Sequence, residues 1–144
     1  MLYSTSVRRV MTALLALTLI VVVGAPLASA QEGGEPRTIV DFAHRQVTLE
    51  APPQRIVGMS ASISEMLFAI GVKPVGVTSG MDYPPEAATL PDFGTGYQPN
   101  LEALAALEPD LIIGNAQLNM SILDKLEAIA PTIMVMTMIV GAMA

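Results

Sequence analysis

Residues 55–71, RIVGMSASISEMLFAIG, decide the fold. The first five, RIVGM, are a short, continuously apolar run, as in a strand buried on both faces. The next twelve, SASISEMLFAIG, carry good helix formers and end at Gly71, where a left-handed residue can close a helix. Strand followed at once by helix is the unit of an α/β sheet, and the sequence repeats it downstream. PVGVTS (74–79) reads as a second strand, and DLIIG (110–114) as a third behind Pro109. PTIMVMT (131–137) reads as a fourth. NLEALAAL (100–107) reads as a helix with Asn100 as N-cap. SILDKLEAIA (121–130) reads as another, capped by Ser121, with NAQLNM (115–120) as a loop before it. None of the strands alternates polar with apolar. That pattern predicts a parallel sheet with helices on both faces, one Rossmann-like α/β lobe.

Upstream of Arg55, TIVDF and QVTLE flank Ala43-His44-Arg45 and predict a short β-hairpin, closed off by Pro52 and Pro53. Residues 31–37 read as a flexible leader, and the α/β lobe with its hairpin is placed at 38–144. Before that, Arg8 and Arg9 precede an apolar run from Val10 to Val23, then Ala28-Ser29-Ala30. This is the pattern of a signal peptide over residues 1–30, cleaved before Gln31. The run is shorter than the roughly 20 residues a spanning helix needs. No cysteine exists to carry a lipid, so the cleaved chain is expected to be exported, periplasmic and soluble. The closing MIVGAMA (138–144) has no charge where a polar loop should follow a strand, and is read as the mark of a fragment or an altered frame.

Composition narrows the chemistry. The formal net charge is −6, and the first thirty residues hold only basic charges, so the remainder is more acidic still. Such a surface repels nucleic acid and anionic lipid. Without cysteine there is no disulfide framework or thiolate metal site, and 52% hydrophobic residues must supply the core. His44 is the single histidine and falls at the hairpin tip, so it offers neither a base nor half of a metal site. GMSAS (58–62) sits between strand and helix as a nucleophile elbow would, but lacks the second glycine and any downstream histidine. Gly94 and Gly96 do not open a helix after a strand, as a phosphate loop requires. The ten methionines read as core filler. No catalytic residue and no cofactor is expected.

Binding is the chemistry that remains. In open parallel sheets, ligands lie beyond the carboxyl ends of the strands. Those ends carry Ser60 after the first strand, a long loop after the second and Asn115 after the third. Two of the three tyrosines, Tyr83 and Tyr97, fall in that loop, and Pro84-Pro85 stiffens the backbone after Tyr83. Tyrosines are large, amphipathic and cheap to immobilise, so they suit a flat ligand with a polar edge. Glu65 has a local explanation, because Ser62-Ile63-Ser64-Glu65 fits a capping box with Ser62 at the N-cap and Glu65 at N3.

RIVGMSASISEMLFAIGVKPVGVTS, DYPPEA, GYQPNLEALAALEPDLIIGN and LEAIAPTIMV together resemble the amino-terminal lobe of periplasmic binding proteins that serve ABC importers of ferric siderophores, cobalamin and haem. TIVDFAHRQVTLEAPPQ is similar to that family's N-terminal hairpin. The resemblance implies a monomeric protein of two α/β lobes joined by a long helix, with the chelate between them. It implies that Glu65 docks on arginines of the membrane permease. For ligand binding it ranks a ferric siderophore first, then cobalamin, then haem. DYPPEA is similar to the cobalamin branch, GYQPNLEA and AIAPT to the siderophore branch, and Tyr97 stands near a haem-ligating tyrosine. Gly96 takes the place of an aromatic in the cobalamin binders. The connecting helix and second lobe do not follow in this sequence, so weak or absent binding by the lobe alone is expected, and a truncated lobe without function is the alternative.

Overall fold

The computed structural model describes residues 34–137. The expected signal peptide and cleavage site, and the MIVGAMA tail, lie outside them. Strands β1 (Arg37–Val40) and β2 (Gln46–Leu49) form the expected hairpin, paired antiparallel from Arg37 opposite Leu49 to Val40 opposite Gln46. The tip turns at His44, with φ of 58°, a conformation that histidine tolerates better than most residues. All four β1 residues are exposed, so the hairpin adds little to the core.

The second sheet is parallel, in the order β3 (Ile56–Gly58), β4 (Leu111–Asn115), β5 (Thr132–Val135). Ile56 pairs with Leu111, and Ile112 with Thr132. Although these strands read as continuously apolar, the pleat sorts their side chains onto two faces. Val57, Ile112 and Met134 point to one core with Phe93, Leu104 and Leu126. Ile56, Leu111 and Ile133 point to another with Ile63 and Leu67. Helices α1 (Ala61–Ala69), α2 (Leu101–Ala106), α3 (Ala116–Asn119) and α4 (Leu123–Glu127) supply the covering residues, with α1 on one face and α2 and α4 on the other. This is the α/β architecture expected from the strand–helix alternation. No described helix is long and apolar enough to cross a membrane.

Helix α1 closes as Gly71 foretold. Its φ is +81°, Gly71 N–H donates to the Phe68 carbonyl, and Val72 N–H donates to Leu67, the paired bonds of a Schellman motif. Asn100 caps α2 through bonds its side-chain oxygen accepts from the Glu102 and Ala103 amides.

Three expectations need correction. PVGVTS lies beside β3 but is not a strand, because its backbone reaches β3 through Val75 N–H to Ile56 O alone and meets the 91–94 segment by a single bridge, Val77 with Asp92. Pro74 and Pro91 have no N–H to give, so a continuous ladder cannot form. NAQLNM is not a loop, since α3 starts directly after β4 with Asn115 as its cap. The backbone then stays helical through a 3₁₀ turn (Met120–Ile122) into α4. Ser121 therefore sits inside the turn and caps nothing; the N-cap of α4 is Ile122, which makes no side-chain capping bond.

The hairpin is fastened to the open edge of β5. Phe42 N–H donates to Met134 O at 2.9 Å, Met134 N–H donates to Asp41 Oδ2 at 3.2 Å, and Arg45 Nη2 donates to Thr132 O at 3.0 Å. Covering an edge strand in this way removes a template for pairing with another chain.

Candidate binding groove at the strand ends

The carboxyl ends of β3, β4 and β5 lead into Ser60, Asn115 and Met136-Thr137. A groove of about 610 Å³ opens there, lined by Ser62, Glu65, Met66, Tyr83, Met136 and Thr137. A smaller hollow of about 190 Å³ continues past Glu65 and Tyr83 to Phe68, Pro84 and Glu86. The walls are thus thioether, aromatic and carboxylate, a mixture suited to a ligand with apolar faces and polar edges.

Tyr83 reaches the groove because its loop has a small core of its own. Val77, Met81 and Ala87 are buried together, with Phe68 of α1 and Leu90 packed against them. The following 3₁₀ helix (Pro85–Thr89) begins at the proline pair, and the Tyr83–Pro84 peptide is cis. Asp92 ties the two ends of the loop, accepting from the Gly94 amide at 2.6 Å and the Ser79 hydroxyl at 2.8 Å. Those bonds, the amide's first and then the hydroxyl's, hold its carboxyl below the ordinary carboxylate range.

Glu65 stands differently from its expected place. The N-cap of α1 is Ser60, whose Oγ accepts from the Ile63 amide, and Ser62 is an exposed helical residue. Glu65 is the fifth residue of the helix and lies outside the first turn, so there is no capping box. The helix starts early because Gly58 lets it close onto the strand: a Cβ there would lie 2.8 Å from Ile63 Cγ2, and Ser64 is buried with its hydroxyl donating to Gly58 O. The ion pairs among the described residues join Arg45 to Asp41 and to Glu127, which leaves Glu65 exposed with no partner there.

The other sequence-derived candidates, Ser60, Asn115 and Tyr97, do not line this groove. Ser60 is half-buried, its hydroxyl engaged by the cap. Asn115 is buried, its Oδ1 accepting from the Gln117 amide and its Nδ2 donating to Thr137 Oγ1 at 2.5 Å. Tyr97 is 72% exposed on its own turn and Tyr83 is 68% exposed, so both rings face solvent. Glu65 and Tyr83, assigned separate tasks from the sequence, line one groove. Met66, Met136 and Thr137 were not anticipated; the fourth apolar run was read as strand to Thr137, whereas β5 ends at Val135 and leaves Met136-Thr137 just past the strand end.

An open parallel sheet with a groove past its strand ends is the architecture of an α/β ligand-binding domain. Residues 56–138 match the periplasmic binding protein family, and the chain belongs to it. It is 37% identical over 112 residues to the probable siderophore-binding lipoprotein YfiY of Bacillus subtilis, covering 73% of this chain and 34% of that protein. It is 42% identical over 84 residues to the vitamin B12-binding protein of Salmonella typhimurium, covering 56% of this chain and 31% of the relative. The structure of Staphylococcus aureus SirA complexed with staphyloferrin B superimposes with a TM-score of 0.64 at 26% identity, over 70% of this chain and 37% of that one. The chain thus spans about a third of the length of these relatives. The family is one of binding proteins, in keeping with a sequence that offers no catalytic machinery.

Proposed function

We propose that this chain is the amino-terminal lobe of an exported solute-binding component of an ABC importer, which captures a ferric siderophore and presents it to the membrane permease. The observation that carries this reading is Tyr83 and Glu65 on one groove at the strand ends of a periplasmic binding protein fold. Tyr83 and Tyr97 are the exposed aromatic surfaces for the chelate, and the siderophore wraps its own iron, so the protein needs no metal ligands. Half-buried Ser60 and buried Asn115 hold the strand ends behind that surface. Glu65 is the docking carboxylate, unpaired among the described residues and open to a permease guanidinium.

Cobalamin is the second reading, favoured by the Salmonella relative. Gly96 speaks against it: a Cβ there would lie 2.7 Å from the Met59 carbonyl oxygen, so an aromatic cannot stand at that position without moving the turn. The test is to titrate ferric siderophores, cyanocobalamin and haemin into residues 31–144 while following tyrosine emission, which in that segment comes from Tyr83 and Tyr97 alone. Saturable quenching by ferric siderophores, weakened about tenfold or more by Tyr83→Ala, is expected. Quenching by cyanocobalamin alone would transfer the assignment; silence of residues 31–144 would mean that one lobe does not bind unaided, and silence of the full-length protein that carries this lobe would sink the assignment.

Docking makes a separate prediction. Glu65→Gln should leave the unfolding midpoint unchanged, within about 0.5 kcal/mol, because the carboxylate has no partner to lose. It should weaken association with the cognate permease in lipid nanodiscs about tenfold, more so at low salt. Equal association of the two forms would remove Glu65 from the docking surface.

A further inference from the structure

Asn119 is fully buried, yet neither a core packing role nor a cap explains its amide. Its Oδ1 accepts from the Asn115 amide at 2.9 Å, and its Nδ2 donates to the Gly96 carbonyl at 2.8 Å, across 23 residues of sequence. Asn115 in turn donates to Thr137 Oγ1, and Thr137 lines the groove beside Tyr83. One polar chain therefore runs from the turn that carries Tyr97, through the end of β4, to the groove wall. The turn is also pressed in close: a Cβ on Gly96 would lie 2.7 Å from Met59 O and 3.6 Å from Leu118 Cδ1. It has few other ties to these elements. Its start is held to the Tyr83 loop by Ser79 N–H donating to Gly94 O at 2.9 Å, and its remaining bonds are local: Gly94 N–H to Asp92 Oδ1, Gln98 N–H to Thr95 Oγ1 and the Gly94–Pro99 bridge.

We infer that Asn119 is a positioning residue for ligand binding: its buried amide holds the Tyr97 turn in register with the strand ends, so that Tyr97 and the Tyr83 groove present a single surface to the chelate. This rests on the binding function proposed above. The amide is well matched to the task, since it must donate on one side and accept on the other, and it carries donor and acceptor on separate atoms where a hydroxyl has both on a single oxygen. Leaving the partly buried Gly96 carbonyl without that donor would loosen the turn's hold on the strand ends.

Asn119→Asp isolates the donor. It keeps an acceptor for the Asn115 amide but sets a carboxylate against the Gly96 carbonyl. A protonated acid would restore the donor, so the defect should fade as pH is lowered. Amide hydrogen exchange over residues 94–98 is expected to quicken about tenfold in Asn119→Asp at pH 7, after correction for the intrinsic rate, with β4 and β5 unchanged. Affinity for a ferric catecholate siderophore as probe should fall about tenfold, but not further in a chain that already carries Tyr97→Ala. Both effects should shrink towards pH 5 relative to the unsubstituted chain at the same pH. Equal weakening with and without Tyr97, or unchanged exchange at 94–98, would overturn the inference and leave Asn119 as fold support only. If the full-length protein carrying the unsubstituted lobe bound neither that probe nor cyanocobalamin nor haemin, the binding function itself would fall, a result distinct from either of these.

Discussion

Replacing Phe93 with alanine is expected to lower the unfolding free energy by about 3–5 kcal/mol, the range for deleting a buried aromatic and leaving a cavity. Phe93 heads the largest fully buried side chains and packs among Val57, Met59, Leu104, Ile112, Leu126 and Met134, from all three parallel strands and two helices. Its backbone is also a junction. Phe93 N–H donates to Val77 O at 3.2 Å, and the Asn100 amide donates to Phe93 O at 2.7 Å. The ring thus anchors the segment that leads from the Tyr83 loop to the Tyr97 turn. A domain of this size has a net stability of roughly 5–15 kcal/mol, so the loss would be a large share of the whole. Tyr83→Ala and Tyr97→Ala, with both rings mostly exposed, should each stay within about 0.5 kcal/mol of the starting chain. Urea unfolding followed by far-ultraviolet circular dichroism separates the cases. A shift below about 1 kcal/mol for Phe93→Ala would mean that the segment is not seated on the sheet core.

What could be foreseen from the sequence was what local chemistry governs. Gly71 closes α1, Asn100 caps α2 and His44 turns the hairpin because each needs only its own neighbours. The parallel sheet was legible because continuous apolar runs alternating with helices have few other solutions. The misses are all tertiary. Serines 60, 62 and 64 each qualify as an N-cap, and the choice of Ser60 rests on the absence of a side chain at Gly58, which sequence periodicity does not weigh. PVGVTS has strand composition, but a ladder depends on what the neighbouring segment can donate, and Pro91 donates nothing. Asn115 and Asn119 look like loop residues in NAQLNM, where polar and apolar side chains alternate. Only the folded chain shows one capping α3 and both bonded across the strand end. The candidate site was legible in part for the same reason: Tyr83 and Glu65 stood out as individual residues, whereas their meeting on one groove depends on how the Tyr83 loop packs against Phe68.

Asp41→Asn is expected to destabilise the lobe by about 2–3 kcal/mol at pH 7, the second large effect. The Asp41 side chain is fully buried where the hairpin's turn begins, directly after β1. It accepts from the Arg45 amide at 2.9 Å, from Arg45 Nε at 3.1 Å and Nη2 at 2.5 Å, and from the Met134 amide at 3.2 Å. Arg45 also pairs with Glu127 of α4, so the carboxylate joins hairpin, β5 and the last described helix. Burial alone would push its pKa up. The hydrogen bonds from the Arg45 backbone, the guanidinium and the Met134 backbone outweigh that and hold it below the ordinary 3.8. The sign follows: a depressed carboxylate contributes its full stabilisation above the unfolded-state pKa, near 3.8, and loses it as pH falls through the lower folded-state value. An asparagine keeps the shape but turns an N–H towards donors, and leaves a partly buried guanidinium with less compensation. The gap between the two chains should therefore be flat from pH 7 to about 5 and narrow below about 4, as the unsubstituted chain gives up its charge. Taking the difference between chains removes the other carboxylates that titrate in the same range. With the hairpin loosened, the β5 edge is free to pair, so Asp41→Asn should also self-associate more at neutral pH, seen by light scattering. A gap that stayed constant down to pH 3 would show that the backbone bonds of Phe42 and Met134 hold the hairpin, and that the charge on Asp41 contributes nothing to it.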